Sequence, residues 1–90
     1  MPAAVRLGDM CSGHGVHPPR PNIQGSLNVF TNSKSQHRLT DGWAGHLHKG
    51  NAASGSPNVF VNSLPACRIG DSVSCGSTMA QGSPNVFING

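Results

Sequence analysis

Histidine and cysteine side chains recur at nearly the same point of three similar loops. His14 and His46 each follow an aspartate by five residues, and Cys75 follows another by four. His48 adds a second imidazole two residues beyond His46. Imidazole nitrogen and thiolate sulfur are the ligands that tetrahedral Zn²⁺ prefers in proteins. If the three loops surround a shared axis, these four side chains converge on it, and the sequence predicts one structural zinc ion.

Other histidines and cysteines could replace a member of this set. Cys11 and His17 lie in the first loop and compete with its predicted ligand. His37 and Cys67 each precede a repeated arginine, at the position that Val5 occupies in the first repeat. Because Val5 lies in a predicted short strand, Ala3 to Leu7, we interpret His37 and Cys67 as structural residues, with His37 kept as an alternative ligand.

Catalysis is the other chemistry that Cys, His, Ser and Asp can perform. A nucleophile needs a base within hydrogen-bonding reach, and that base needs a group to orient it. Here the aspartates follow a repeat and do not mark one pocket, and a metal with four protein ligands has no open position for a substrate. We therefore expect the protein not to be an enzyme.

A phrase of nine residues, present three times, positions these loops. The copies begin at Gly25, Gly55 and Gly82, and each has Asn-Val-Phe at its centre. The Gly-Ser-Pro opening of the last two copies is typical of a turn, and the β-branched and aromatic residues that follow indicate a short strand.

A second phrase has an arginine, an aliphatic residue, Gly or Thr, and an aspartate. It begins at Arg6, Arg38 and Arg68, and its aspartates are the only acidic residues in the protein. We interpret each aspartate as a turn residue with a local charge partner.

Length and composition indicate one small domain. Residues 1–90 form three repeats, approximately 3–33, 36–63 and 66–90, and no segment has helical periodicity, so the fold class is all-β. Only 36% of the residues are hydrophobic, which leaves a thin core that needs a further stabilising link. Three cysteines without a signal peptide make a metal a better candidate for that link than disulfides.

The charge pattern argues against nucleic acid as a partner. The net charge of +3 comes from scattered Lys and Arg residues and not from a basic stripe with interleaved aromatics. No segment has the apolar length of a membrane span, and no secretion signal precedes the repeats. We expect synthesis in the cytoplasm, with any export by another route.

The repeats and loops together resemble the PAAR-repeat family, named after a proline–alanine–alanine–arginine motif. The motif appears as Pro2-Ala3-Ala4-Val5-Arg6 with one insertion, and as Pro65-Ala66-Cys67-Arg68 with cysteine in place of the second alanine. The middle copy keeps only its arginine. The resemblance covers essentially the whole chain.

The resemblance implies a small pseudo-threefold cone of short strands, with zinc near the vertex at the positions of His14, His46, His48 and Cys75. It implies that the broad base docks on the blunt end of a trimeric β-helical spike, one copy per trimer, in a contractile phage tail or a type VI secretion system. We expect the Val-Phe positions to pack the body of the fold and neighbouring strand edges to meet the spike. The tip would be a monomer on its own, would be carried out of the cell, and would touch the target envelope only transiently. Ending at Gly90, the chain is expected to carry no effector, which favours the phage tail.

A second hypothesis is a free zinc-binding or adhesive module that recognises a glycan or another envelope component. Such a module ordinarily offers exposed aromatic side chains for stacking. Trp43, in the second loop, is the candidate, although we prefer to interpret it as a lid over the core beside His46.

Overall fold

The protein is described by a computed structural model that covers residues 2–13, 18–44 and 50–88. These residues contain no helix. Their regular elements are six strands of two residues each: β1 (Phe30–Thr31), β2 (Lys34–Ser35), β3 (Gly42–Trp43), β4 (Gly50–Asn51), β5 (Phe60–Val61) and β6 (Leu64–Pro65). The strands pair as three antiparallel hairpins, β1 with β2, β3 with β4, and β5 with β6. The prediction of an all-β fold is confirmed.

The hairpins β1–β2 and β5–β6 have the same turn. Each has two central residues with positive φ, 53° at the asparagine (Asn32 or Asn62) and 66° at the following serine. Positive φ at both central residues defines the type I′ turn, whose twist matches that of the flanking strands. Asparagine tolerates this conformation better than most residues. The Asn-Ser ending of the nine-residue phrase therefore has a conformational reason.

The two ends of the chain form a third structure of the same kind. Ala3 bridges Phe87, and the amide of Ile88 donates to the carbonyl of Pro2 over 2.9 Å. Pro2 thus takes the place that Lys34 and Leu64 have in the other two hairpins. The fold closes into a ring because residues 2–4 pair with residues 86–88.

A strand from Ala3 to Leu7, as the sequence suggested, is not formed as a regular element. Isolated bridges occur instead at Ala3, Ala4 and Arg6. Each bridge goes to a different segment, namely to Phe87, Arg68 and Gln36 respectively. The extended chain therefore crosses three neighbours in turn and follows none of them for long.

Three backbone hydrogen bonds define a pseudo-threefold axis. Val5 N donates to Cys67 O, Cys67 N to His37 O, and His37 N to Val5 O, over 3.0–3.1 Å. All three residues are completely buried. The side-chain amide of Gln36 lies beside this triangle, and its Nε2 donates to Val5 O and His37 O over 3.0 Å each.

Two small cores lie on either side of this triangle, because successive residues of an extended chain point in opposite directions. One core contains residues that flank the three loops: Val5, Cys11, Trp43, Ala52, Cys67, Val73 and Met79. The other core lies beside the strand pairs that carry the phenylalanines, and it contains Ala4, Val61, Ala66 and Ile88. We call the loop end the apex and the hairpin end the base.

An arginine–aspartate pair fixes the turn of every repeat. Arg38 Nε donates to Asp41 Oδ2 and Arg38 Nη2 donates to Asp41 Oδ1, both over 2.9 Å. The same two-pronged contact joins Arg6 to Asp9 and Arg68 to Asp71. All six side chains are largely buried. The interpretation of the aspartates as turn residues with a local charge partner is confirmed.

Candidate metal centre and docking base

Cys75 is the one predicted zinc ligand that lies within the described residues. Its side chain packs at the edge of the apex core, and its Sγ lies 3.6 Å from Ser77 Oγ. A Cβ added at Gly50 would lie 3.3 Å from this sulfur. Cys75 therefore sits beside the residue that immediately follows the second loop, the loop that carries two of the predicted histidine ligands.

The other predicted ligands, His14, His46 and His48, lie outside the described residues, as does the alternative ligand His17. Within residues 2–13, 18–44 and 50–88, no three His, Cys, Asp or Glu side chains come close enough to share a metal ion. The zinc site stays a prediction from the sequence.

The remaining cysteines are held in the interior of the fold. Cys11 Sγ accepts a hydrogen bond from the backbone N–H of Arg20 over 3.3 Å, and Cys67 Sγ donates to Ser54 O over 3.5 Å. Burial raises the pKa of the Cys67 thiol, which keeps it protonated. Because the thiolate is the form that binds metals, Cys67 is suited to a structural role.

His37 is a neutral histidine in the apex core. Its Nδ1 lies 2.7 Å from the carbonyl oxygen of Gln24. Since a carbonyl oxygen can only accept, Nδ1 carries the proton and Nε2 has a free lone pair. Among the described residues nothing hydrogen-bonds Nε2, and burial lowers the pKa of the imidazole below its ordinary value.

Trp43 packs against this histidine instead of facing the solvent. The two ring centroids lie 5.2 Å apart with their planes at 82°, an edge-to-face contact. Trp43 is buried in the apex core, so it is not an exposed stacking surface for a glycan. Its interpretation as part of the core is confirmed, whereas His46, its suggested neighbour, lies outside the described residues.

The base carries the three phenylalanines, and they are exposed. Phe30, Phe60 and Phe87 are 59%, 58% and 51% exposed respectively. The expectation that the Val-Phe positions pack the body of the fold is therefore wrong for all three phenylalanines, and also for Val29 and Val86, which are exposed; only Val59 packs against the base core. Neighbouring residues of a strand face opposite sides, so the residue after each Phe fills the core and the Phe itself points outward. The copies Val-Phe-Val and Val-Phe-Ile contain no polar residue, so their sequence has no polar–apolar alternation that could have indicated the outward side.

Polar side chains link neighbouring repeats at the base. Ser26 Oγ donates to Asn62 Oδ1 over 2.6 Å, and Arg38 Nη1 donates to the same oxygen over 3.1 Å. The equivalent asparagine of the first repeat, Asn32, accepts from Ser83 Oγ and Arg6 Nη1. Asn89, which is equivalent by sequence, lies outside the described residues. The turn of one hairpin is thus tied to the repeat beside it.

The described residues define a class of protein: a single chain with pseudo-threefold symmetry. The segments that flank its three loops lie at one end, and three strand pairs, each with an exposed phenylalanine, lie at the other. No pocket is found in the described part of the chain, and that part has no helical segment with the length and hydropathy of a membrane span.

Comparison with known families places this chain within one of them. The family model for the PAAR motif matches residues 12–80 and, in an overlapping second match, residues 46–90. The chain belongs to the PAAR-motif family. This is a family of structural spike-tip proteins that bind spike proteins and are assembled into puncturing machines. A search of curated protein sequences finds no match to the chain.

Proposed function

We propose that this chain caps the distal end of a trimeric β-helical spike protein and sharpens it for penetration of a target envelope. One tip binds one trimer, through its base. The observation that carries this proposal is the set of exposed phenylalanines, one from each repeat, at the hairpin end of the fold. A homotrimer presents three identical surfaces around its axis, and a chain with three similar faces can contact all of them at once.

The interior of the fold suits a part that must resist force. The axial triangle of backbone hydrogen bonds joins all three repeats, and each buried arginine–aspartate pair locks one turn. Such links do not depend on a large apolar core, which a chain of 90 residues cannot build. The proposed function is the same in a contractile phage tail and in a type VI secretion spike, because in both the base would bind the end of a trimeric β-helical spike.

The docking proposal is tested by replacing the phenylalanines together. A chain with Phe30→Ser, Phe60→Ser and Phe87→Ser should fold normally, because these side chains are exposed, and should lose cosedimentation with a trimeric β-helical spike. Ile23→Ser is the matched control, since Ile23 is 63% exposed but bonds through its backbone to Gly42 on the apex side. Equal binding by the native and triple-variant chains would reject the base as the docking surface.

The second part of the proposal is one structural zinc ion at the apex, bound by His14, His46, His48 and Cys75. The partly buried thiol of Cys75 beside the end of the second loop supports it, as does the donor set, which has the nitrogen and sulfur ligands of structural zinc. The ion would cross-link the three loops and so stabilise the end of the molecule that meets the envelope.

Metal content of the purified protein tests this part. We expect about one zinc per chain in the native protein, and its loss together with thermal stability in Cys75→Ser. Cys11→Ser is the control, because the Cys11 thiol is committed to the core and to the amide of Arg20. The apex site would be refuted by native protein free of metal, or by a Cys75→Ser variant that retains it.

A further inference from the structure

Each phenylalanine strand at the base has one edge whose backbone groups are not used within the fold. Residues that face each other in an antiparallel pair alternate between hydrogen-bonded and non-hydrogen-bonded positions. Gln36 N donates to Val29 O over 3.0 Å, so the next pair of positions, Phe30 with Ser35, is of the non-hydrogen-bonded kind. The N–H and C=O of Phe30 therefore point away from β2, toward the outer edge of the strand pair.

The same alternation holds in the other two strand pairs of the base. In each, an alanine amide donates to the carbonyl of the valine that precedes the phenylalanine: Ala66 to Val59 over 3.0 Å, and Ala4 to Val86 over 2.9 Å. Phe60 and Phe87 stand in the next pair of positions, opposite Pro65 and Ala3. Their N–H and C=O groups also point outward.

The opposite edge of each strand pair is already occupied. There, the residue that faces the phenylalanine accepts a backbone hydrogen bond over 2.8–2.9 Å from a segment that leads to the apex: Ser35 from Leu7, Pro65 from Leu39, and Ala3 from Ile69. The phenylalanine strand is thus the last of three and lies on the side away from the apex. Within residues 2–13, 18–44 and 50–88, the backbone N–H and C=O of the three phenylalanines make no hydrogen bond. We call these three places the open edges.

An open edge is complementary to a copy of itself. It offers one N–H and one C=O from the same residue, so two such edges that meet antiparallel exchange two hydrogen bonds between their phenylalanines. A second tip turned over onto the first base brings three open edges against three, because a pseudo-threefold axis relates the edges. One phenylalanine then meets its own copy, and the other two meet each other.

The open edges lack the features with which proteins usually block edge pairing. Proline and charged side chains on an edge strand prevent such contacts. No proline or charged residue occurs in the phenylalanine strands, residues 28–31, 58–61 and 85–88. The phenylalanine side chains are 51–59% exposed, and cross-strand contacts between aromatic side chains are favourable.

We propose that free tips bind one another base to base through their open edges, as a dimer of two chains. A dimer differs from the free monomer that the resemblance implied. The strand edges are also where the spike is expected to bind, so one tip cannot hold a second tip and a spike at once. The dimer keeps the open edges covered until a spike displaces one copy.

The area of the contact sets its strength. The exposed half of a phenylalanine side chain is about 100 Å², so three of them in each copy bury roughly 600 Å² in total. Stable interfaces bury about 1,200–2,000 Å², and smaller ones belong to the weak, reversible class. We therefore expect dimers at about 100 µM and above, and single chains at about 1 µM.

Sedimentation of the spike-free chain at about 1 µM and about 300 µM tests the proposal. The mass should rise from that of one chain toward that of two. Amide hydrogen exchange of Phe30, Phe60 and Phe87 should slow about twofold or more in the concentrated protein, while exchange of Leu7, whose amide is bonded within the fold, stays unchanged. A chain that remains single at the higher concentration would overturn the proposal. So would a dimer whose phenylalanine amides exchange as in dilute protein, because another surface would then form it.

Proline substitution tests the backbone pairing itself. Phe30→Pro, Phe60→Pro and Phe87→Pro together remove three outward N–H groups that no bond within the fold uses. This chain should fold, as judged by near-UV circular dichroism of the buried Trp43, and should stay single at the higher concentration. Leucine at the same three positions is the matched control, because it also removes the rings but keeps the N–H groups, and it should still dimerise. Equal dimerisation of the two chains would reject the backbone pairing, and if the proline chain does not fold, hydrogen exchange of the native chain decides.

A trimeric β-helical spike separates this proposal from the proposed docking. A native tip that forms the dimer but does not bind the spike would reject the docking alone. A native tip that binds the spike but never pairs with itself would reject the dimer alone.

Discussion

Equivalent residues around the axis share a backbone position but not their chemistry. Val5, His37 and Cys67 make the same hydrogen bonds, yet one is aliphatic, one is an imidazole and one is a thiol. Both titratable groups are held in their neutral forms by burial, which lowers the pKa of His37 and raises that of Cys67. The axis therefore tolerates polar atoms as long as they stay uncharged.

This neutrality predicts a pH dependence of stability. The pKa of His37 is lower in the folded than in the unfolded protein, so its contribution is complete above the unfolded value of about 6.5 and declines as the pH falls below it. His37→Val, which copies Val5, should lose less stability than the native chain between pH ~8 and pH ~5, by at most about 2 kcal/mol. Urea unfolding at both pH values measures the difference.

Any contribution of the other histidines is common to both proteins and cancels in this comparison. An identical pH dependence in the native chain and in His37→Val would contradict the assignment of His37 as a buried neutral base. It would mean that Nε2 finds an acceptor or water when it is protonated.

The equivalence of these residues could be read from the sequence, but their surroundings could not. Spacing from the repeated arginines placed His37 and Cys67 at the position of Val5, and all three are completely buried. Which carbonyl each side chain meets depends on contacts between repeats, such as His37 with Gln24, that no local pattern specifies.

At the scale of elements, the turn residues of the hairpins have a second role besides reversing the direction of the chain. Asn62 has positive φ, accepts from Ser26 and Arg38, and donates its Nδ2 to Asn28 Oδ1 over 2.9 Å. One residue thus forms the turn of its own hairpin and joins that hairpin to the preceding repeat.

The two roles of Asn62 can be separated by two substitutions. Asn62→Gly keeps the positive φ and removes the side-chain bonds, and we expect it to lower the free energy of unfolding by about 1–2 kcal/mol. Asn62→Ala also strains the turn and should cost roughly 1 kcal/mol more. Chemical denaturation of the three proteins measures both. Equal stability of the glycine and alanine variants would show that strain at a positive φ does not contribute to the loss of stability.

The sequence predicted where the strands lie, but it only partly predicted which side of each strand is buried. Turn residues and the β-branched and aromatic residues between them indicated short strands, but two-residue strands give no long pattern from which to choose the buried side. The phenylalanines, usually core residues, were assigned inward although the fold leaves them exposed. In the docking proposed above that exposure has a use, because the base is the surface through which the chain would bind a spike.

At the scale of the whole molecule, a single chain has the pseudo-threefold symmetry that a trimer of separate chains would have. The repeats predicted this arrangement, since each supplies one turn, one strand phrase and one loop. Closure of the ring could not be predicted from any single repeat, because the third strand pair of the base combines residues 2–4 with residues 86–88. The zinc ligands depend on loops whose histidines lie outside the described residues, so their convergence stays a prediction.

The central claim is that this pseudo-threefold chain binds a threefold partner as a single copy. Native mass spectrometry of a trimeric β-helical spike mixed with an excess of the tip tests it most directly. We expect a complex of one tip and three spike chains, and no larger complex although the tip is in excess. Three tips per trimer, or no complex at all, would contradict it, because either result would mean that the three faces do not act together.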